Sequence, residues 1–165
     1  MSYRIGLICM YCVIFFTSCE DKTQKIYLFR HAEKIQTDST DNPELTVEGD
    51  RQAIKIADIL KNEGITALYT TKYKRNLATV QPLINETKAK VYYYEWDNWS
   101  AVLDSINKRN DIGVAVCGHG DILLPMIEKF GAVSPQKTIG KNEYKTIYEL
   151  SISSSQSIVT VNKFK

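Results

Sequence analysis

Lys25-Ile26-Tyr27-Leu28-Phe29-Arg30-His31-Ala32-Glu33-Lys34 begins as an apolar, β-prone run and stops at a cation and a histidine. Residues 26–29 read as a short strand, and the polar block after them as the loop it feeds. The same arrangement returns further on. Residues 112–117 form a continuous apolar run suited to the centre of a sheet, and Gly118-His119-Gly120-Asp121 follows directly. The chain has two histidines, and each stands immediately after a predicted strand. In open α/β sheets ligands bind beyond the carboxyl ends of the strands. One shared site is therefore expected.

Working outward, strand signals alternate with helical ones. Thr46 is an N-cap candidate, and Ala53, Ile56, Ala57 and Leu60 recur behind it at helical spacing, with Gly64 placed to close that helix. Residues 65–70 predict a second strand. Leu77, Val80 and Ile84 mark a second helix, in which Pro82 predicts a kink or an early end. Residues 91–94 predict a third strand, and Val102, Leu103 and Ile106 a third helix. A fourth helix is expected over 122–130, with Pro125 in its first turn and Gly131 beyond its end. Two β-prone stretches, 145–152 and 158–164, flank a serine-rich turn and predict an antiparallel hairpin. The expected fold is a three-layer α/β/α sandwich with a mostly parallel sheet and a C-terminal antiparallel hairpin. Strand order is not contained in this pattern.

The 165 residues fit one domain, and 44% apolar content is enough for a core. Twenty-one Lys+Arg against nineteen Asp+Glu leave +2, without the strongly basic balance of a nucleic-acid binder. No Cys/His cluster suggests structural zinc. The first residues differ from the rest: Arg4, an apolar run over 5–16, then Thr17-Ser18-Cys19. That is the layout of a secretory signal. It resembles a bacterial lipoprotein signal, with Phe16 where an aliphatic residue usually stands. The resemblance implies cleavage before Cys19, lipidation of Cys19 and an exported domain anchored to a bacterial membrane. Residues 1–18 are then the signal, 19–24 a tether and 25–165 the domain. Cys9 and Cys12 form a C-x-x-C inside the removed segment, which leaves Cys117 as the only cysteine of the domain.

The strand ends collect a specific set of groups. They are Arg30 and His31 after the first, Thr70-Thr71-Lys72-Tyr73-Lys74-Arg75 after the second, Glu95 after the third and His119 after the fourth. Two arginines and two histidines suit a doubly negative tetrahedral group, because guanidinium forks oxygen pairs and keeps its charge at any working pH. A neutral histidine can attack a phosphoryl group and split hydrolysis into two easier steps. Cations around it would stabilise the equatorial oxygens in transfer. Nothing in this set demands a metal or another cofactor. Tyr92-Tyr93-Tyr94, with Trp96 and Trp99, adds an aromatic stretch whose alternation places Tyr92 and Tyr94 on one side and Tyr93 on the other.

Leu28-Phe29-Arg30-His31-Ala32 resembles the signature of the histidine phosphatase superfamily, the phosphoglycerate-mutase-like fold. Leu45-Thr46-Val47-Glu48-Gly49, Tyr69-Thr70-Thr71 with Arg75-x-x-x-Thr79, and Val116-Cys117-Gly118-His119-Gly120 resemble three further segments of that family in the same order. The resemblance implies His31 as the phosphorylated nucleophile. It also implies Arg30, Arg75 and His119 as phosphate ligands. For the general acid it points first to Glu95, after the third strand. Asp121, one place beyond the position used by the acid-phosphatase branch, and Glu33 are the other carboxylates near the motifs. The short chain, without a long insertion between motifs, is most similar to the compact phosphohistidine-phosphatase branch. The implied activity is metal-independent hydrolysis of phosphomonoesters or phosphoramidates, on a phosphorylated small molecule or phosphoprotein. The alternative is a phospho-ligand-binding module on the same fold without turnover.

Overall fold

Why the chain forms these layers is visible in the period-two alternation of its strands. The computed structural model describes residues 23–109, 111 and 113–165. The signal segment, Cys19 and the first part of the expected tether lie outside the described residues, as does Ile112. Six strands form one sheet: β1 (Gln24–Arg30), β2 (Ala67–Thr70), β3 (Lys90–Tyr93), β4 (Gly113–Gly118), β5 (Thr146–Ile152) and β6 (Ser157–Lys163). Four helices cover it: α1 (Val47–Leu60), α2 (Lys74–Thr87), α3 (Ala101–Arg109) and α4 (Leu123–Lys129). Ile26 and Leu28 of β1, Val114 and Val116 of β4, and Tyr148 and Leu150 of β5 face one side, against Val102 and Ile106 of α3 and Leu123 and Ile127 of α4. Tyr27 and Phe29, Ala115 and Cys117, and Ile147 face the other, against Ile56 and Leu60 of α1 and Val80 and Leu83 of α2. Each fully buried Leu or Ile contributes about 1.5–3 kcal/mol. A slip of one residue would exchange the two faces.

The strand order, which periodicity could not supply, is β3-β2-β4-β1-β5-β6. β1 is parallel to β4, and β2 is parallel to both β3 and β4. β5 is antiparallel to β1 and β6 to β5, so the predicted hairpin extends one side of the sheet. The chain leaves β1 through α1 on one face and leaves β4 through α4 on the other, in opposite directions along the sheet. β1 and β4 are neighbours, with Arg30 opposite Gly118. Their carboxyl ends therefore open the crevice at which such sheets bind ligands.

Thr46 caps α1 as expected, its Oγ1 accepting from the Gly49 amide at 3.0 Å. Gly64 stands beyond the end of that helix with φ +67°. Pro82 does not shorten α2, which runs on to Thr87 and ends at Lys88 in the left-handed region. Proline removes one helical hydrogen bond, but Val80 and Leu83 on either side of it are buried in the core and hold the helix in place. Pro125 is the third residue of α4, where no intrahelical N–H bond is lost. Among the described residues no helix is long and apolar enough to cross a membrane.

Candidate active site

Arg30 is the last residue of β1, and His31 follows it into the crevice with its amide donating to the Gly118 carbonyl of β4 at 3.0 Å. That bond carries the β1–β4 ladder one residue further, so the ring of His31 starts from a fixed backbone. Its ring is 3% exposed. Nδ1 lies 2.8 Å from the carbonyl of Ala32, the next residue. A carbonyl only accepts, so Nδ1 carries the proton, and Nε2 keeps its lone pair. The partner that orients the His31 ring is no side chain but the backbone of the residue beside it.

Ala32 is itself pinned. Its amide donates to Thr79 Oγ1 at 2.9 Å, and that hydroxyl donates to the Arg75 carbonyl at 2.6 Å. The spacing Arg75-x-x-x-Thr79 is one helical turn, so a single stretch of α2 delivers a guanidinium to the site and a hydroxyl beneath it. The segment 45–49 acts from below as well. Glu33 donates its amide to Gln52 Oε1 and receives the Thr46 hydroxyl on Oε1, both at 2.9 Å. A Cβ on Gly49 would come within 2.1 Å of the Glu33 carbonyl oxygen, so only glycine lets α1 approach this loop. Glu33 is thus held as a tie between the loop and α1.

His119 follows β4 and is 7% exposed. The two imidazole rings meet edge to face with centroids 5.5 Å apart. His119 Nε2 lies 3.2 Å from Thr71 Oγ1, a hydroxyl able to donate or accept. Burial, with Arg30, Arg75 and His119 nearby, pushes His31 down to about 3, although its bond to Ala32 works the other way. Burial also takes His119 down to about 4, with Arg75 and Arg30 acting in the same direction and Asp121 against them. Both rings are neutral at ordinary pH.

The arginines come to the histidines in matching ways. Arg30 stacks over the Tyr144 ring at 4.3 Å, and that ring lies 6.0 Å from His31. Arg75 stacks over Tyr73 at 4.3 Å, and that ring lies 5.3 Å from His119. Nη1 of Arg30 donates to the carbonyls of Gly140 and Lys141, and Nη1 of Arg75 donates to that of Asp41. Nε of each is buried without a partner, and among the described residues neither guanidinium is paired with a carboxylate. Two unneutralised guanidinium groups with orphaned donors suit an oxyanion. Tyr73 and Tyr144 carried no signal of this role in the sequence beyond lying near the motifs.

A cavity of about 550 Å³ opens over this set, lined by Arg30, His31, His119, Asp121 and the α4–β5 loop at Lys137, Ile139 and Lys141. A smaller depression formed by Tyr73, Arg75, Trp96, His119 and Asp121 adjoins it. Asp121 lies between the two, receiving the indole N–H of Trp96 on Oδ2 at 3.1 Å. The structure does not bring Glu95 into this group. Glu95 is exposed, stands two residues beyond the short β3 at the start of a 3-10 turn and lines a separate hollow with Tyr69, Tyr92 and Tyr93. β3 is the outermost strand, two places from β4, and Glu95 lines neither of the two depressions that hold the histidines. The aromatic stretch divides: Tyr94 is core, Trp99 packs against the core, Tyr93 is exposed, and Trp96 reaches the site. Among the described residues no three His, Cys, Asp or Glu gather as metal ligands.

Residues 26–99 match the family model of the histidine phosphatase superfamily (branch 1). No curated protein sequence matches the chain. Among solved structures it is similar to the protein histidine phosphatase SixA complexed with tungstate, at a TM-score of 0.68 and 14% identity over 85% of this chain and 97% of that one. A mycobacterial glucosyl-3-phosphoglycerate phosphatase gives 0.64 and 11% over 86% and 98%. A phosphoserine phosphatase mutant from Entamoeba histolytica, in complex with phosphoserine, gives 0.63 and 16% over 83% and 95%. At these identities the likeness is one of fold.

Proposed function

We propose that this domain of the histidine phosphatase superfamily is a metal-independent phosphatase that hydrolyses phosphomonoesters or phosphoramidates through a phosphohistidine at His31. The observation that carries the reading is the state of His31: neutral, with Nδ1–H bound to the Ala32 carbonyl and Nε2 free beside two guanidinium groups. The Nε2 lone pair forms a bond to phosphorus while the bond to the leaving oxygen or nitrogen breaks. Arg30, Arg75 and His119 hold the equatorial oxygens as charge shifts among them. The leaving atom takes a proton from Asp121, which lines the pocket beside His119, in preference to the distant Glu95. Water then attacks the phosphorus, the N–P bond breaks, and its proton returns to Asp121. Phosphate leaves and Nε2 regains its lone pair.

The fold of the SixA structure, a protein histidine phosphatase by name, supports including phosphoramidates among the substrates. The N-terminal apolar run ending at Cys19 supports an exported domain carried on a bacterial membrane by a lipid.

The test is rapid quench of the purified chain with a 32P-labelled aryl phosphate in EDTA. A labelled protein whose phosphoryl group is lost in acid and kept in base, absent from His31→Ala, is the expected result. Turnover without such a species, or turnover that survives His31→Ala, would overturn the assignment. Phosphate binding with no turnover between about pH 4 and 8, where carboxylates and histidines titrate, would make the domain a phospho-ligand-binding module.

A further inference from the structure

The pocket is much larger than the group its histidines and arginines would hold. Its 550 Å³ lies within the ~300–1,000 Å³ of sites that enclose whole small molecules. Beside the histidines its lining includes Leu124, Pro125 and Ile139, together with Lys137 and Lys141. Both lysines stand on the loop between α4 and β5, and both are exposed. Among the described residues neither is within ion-pair distance of a carboxylate, whereas Lys25, Lys61, Lys74 and Lys145 all are. Lys145, only four residues beyond Lys141, turns away to Glu48 at 3.0 Å.

The loop that carries them is braced. Glu143 accepts from the Gln136 amide at 3.3 Å, from the Gly140 amide at 3.2 Å and from the Thr146 hydroxyl at 3.3 Å. Gln136 also donates to the Thr138 carbonyl and to Tyr148 Oη. Arg30 reaches across to the carbonyls of Gly140 and Lys141, so the loop is bolted to a guanidinium of the phosphoryl site itself. Among the described residues the one carboxylate lining the pocket is Asp121, two residues after His119 and held by Trp96. With both histidines neutral, Arg30, Lys137 and Lys141 face a single carboxylate, Asp121, among the described lining residues, and of these three cations only Arg30 belongs to the set that would hold the phosphoryl group.

We infer that Lys137 and Lys141 form a second anion subsite, and that the preferred substrate joins its phosphoryl group through an apolar body to another anionic group. The inference rests on the pocket being the phosphoryl site. A carboxylate and a second phosphate share the chemistry that two ammonium groups recognise.

Three probes with one aromatic frame separate the cases: phenyl phosphate, 4-carboxyphenyl phosphate and 1,4-phenylene bisphosphate. For each, kcat/KM is measured at low ionic strength on the native chain and on the Lys137→Glu/Lys141→Glu double variant. Dissociation constants for the same three are measured on His31→Ala, which reads the preference with no chemistry. The expected result is a roughly fivefold to tenfold preference for one or both dianionic frames over phenyl phosphate, shrinking as salt is added. In the double variant the ratio falls to one or below. Because each variant is its own reference, a general loss of activity leaves the ratio readable. A carboxylate-only preference identifies an acid side chain or metabolite, and a bisphosphate-only preference a second phosphoryl group. Equal constants for all three probes, or a preference the double variant retains, would overturn the subsite. Absent turnover with the binding preference intact would overturn the phosphatase reading and leave the subsite standing.

Discussion

The two histidines sit at the ends of neighbouring parallel strands, yet they are held differently. His31 gives its Nδ1 proton to a carbonyl that can only accept, and the residue carrying that carbonyl is fixed by Thr79. His119 meets a hydroxyl that can rotate to donate or accept, and it has Asp121 two residues on. The β1 end therefore imposes one tautomer, which suits a nucleophile. The β4 end permits its imidazole to change protonation while oxygens rearrange around it, which suits a group that binds and neutralises charge. Two identical side chains acquire different work from the partner behind each.

That contrast is most easily broken at the rings themselves. His31→Ala should lower kcat/KM by at least about 10⁴-fold and abolish the labelled protein. His119→Ala should cost about 10²–10³-fold and still allow slow labelling, because it removes a charge-stabilising donor. If labelling vanished from His119→Ala and persisted in His31→Ala, the roles would be reversed. At the β4 end, Asp121→Asn should slow hydrolysis of an alkyl phosphate by about 10²-fold. A nitrophenyl phosphate should be much less affected, since its leaving group needs little protonation. Equal losses on both substrates would remove Asp121 as the acid.

A proton titration sharpens the comparison. The unfolded chain protonates each histidine below its ordinary value of 6.5, whereas the fold resists protonation to about 3 at His31 and about 4 at His119. The unfolded state then binds more protons, and stability must fall as the pH drops from 6.5 toward those values. The loss amounts to about 1.5 kcal/mol per histidine between pH 6.5 and 5. Denaturant unfolding at the two pH values measures it, and His31→Gln should lose roughly half of the dependence. Imidazole ¹⁵N shifts should show His119 protonating before His31.

The supporting hydroxyls should rank in the same sense. Thr79→Val leaves the buried Ala32 amide without its acceptor and should cost about 1–3 kcal/mol, with a lower kcat and little change in phosphate affinity. Thr71→Val removes a longer bond to one ring and should cost less than about 1.5 kcal/mol. Melting curves and kinetics on both variants test the order. Smallest of all, Glu95→Gln should change kcat/KM by less than about twofold, as befits an exposed surface substitution.

Much of this was legible in the chain. The apolar run of β4, the spacing of α1 and the turn residues around α4 each carry a local cause, and each element formed where expected. Both histidines and both arginines could be placed because they directly follow predicted elements. The general acid could not be placed that way. Glu95 follows a strand just as His31 does, but whether a strand end opens onto the crevice depends on strand order, and order is set by long-range pairing. The same holds for Tyr144, which stacks on Arg30, and for Lys137 and Lys141, which line the pocket, all brought there because β5 pairs with β1. The Ala32 carbonyl was hidden for another reason: every residue has one, so no residue type announces it. The early helix end read from Pro82 was too local a reading, since α2 runs on to Thr87 with buried side chains on both sides of the proline.

The position of β1 in the middle of the sheet has a consequence in time. Its partners are Gly113 to Gly118 on one side and Ile147 to Ile152 on the other, all far along the chain. Contacts so distant in sequence close late and slow folding. β1, which presents His31, leaves the ribosome before β4 and β5 and gains its last neighbour only when β5 has emerged. A chain cut off just after α4 would expose one edge of β1 and lack Tyr144, the loop to which Arg30 is bolted and both pocket lysines. The setting of His31 is therefore coupled to the arrival of the α4–β5 loop and β5, and a chain without them carries the histidine without its surroundings.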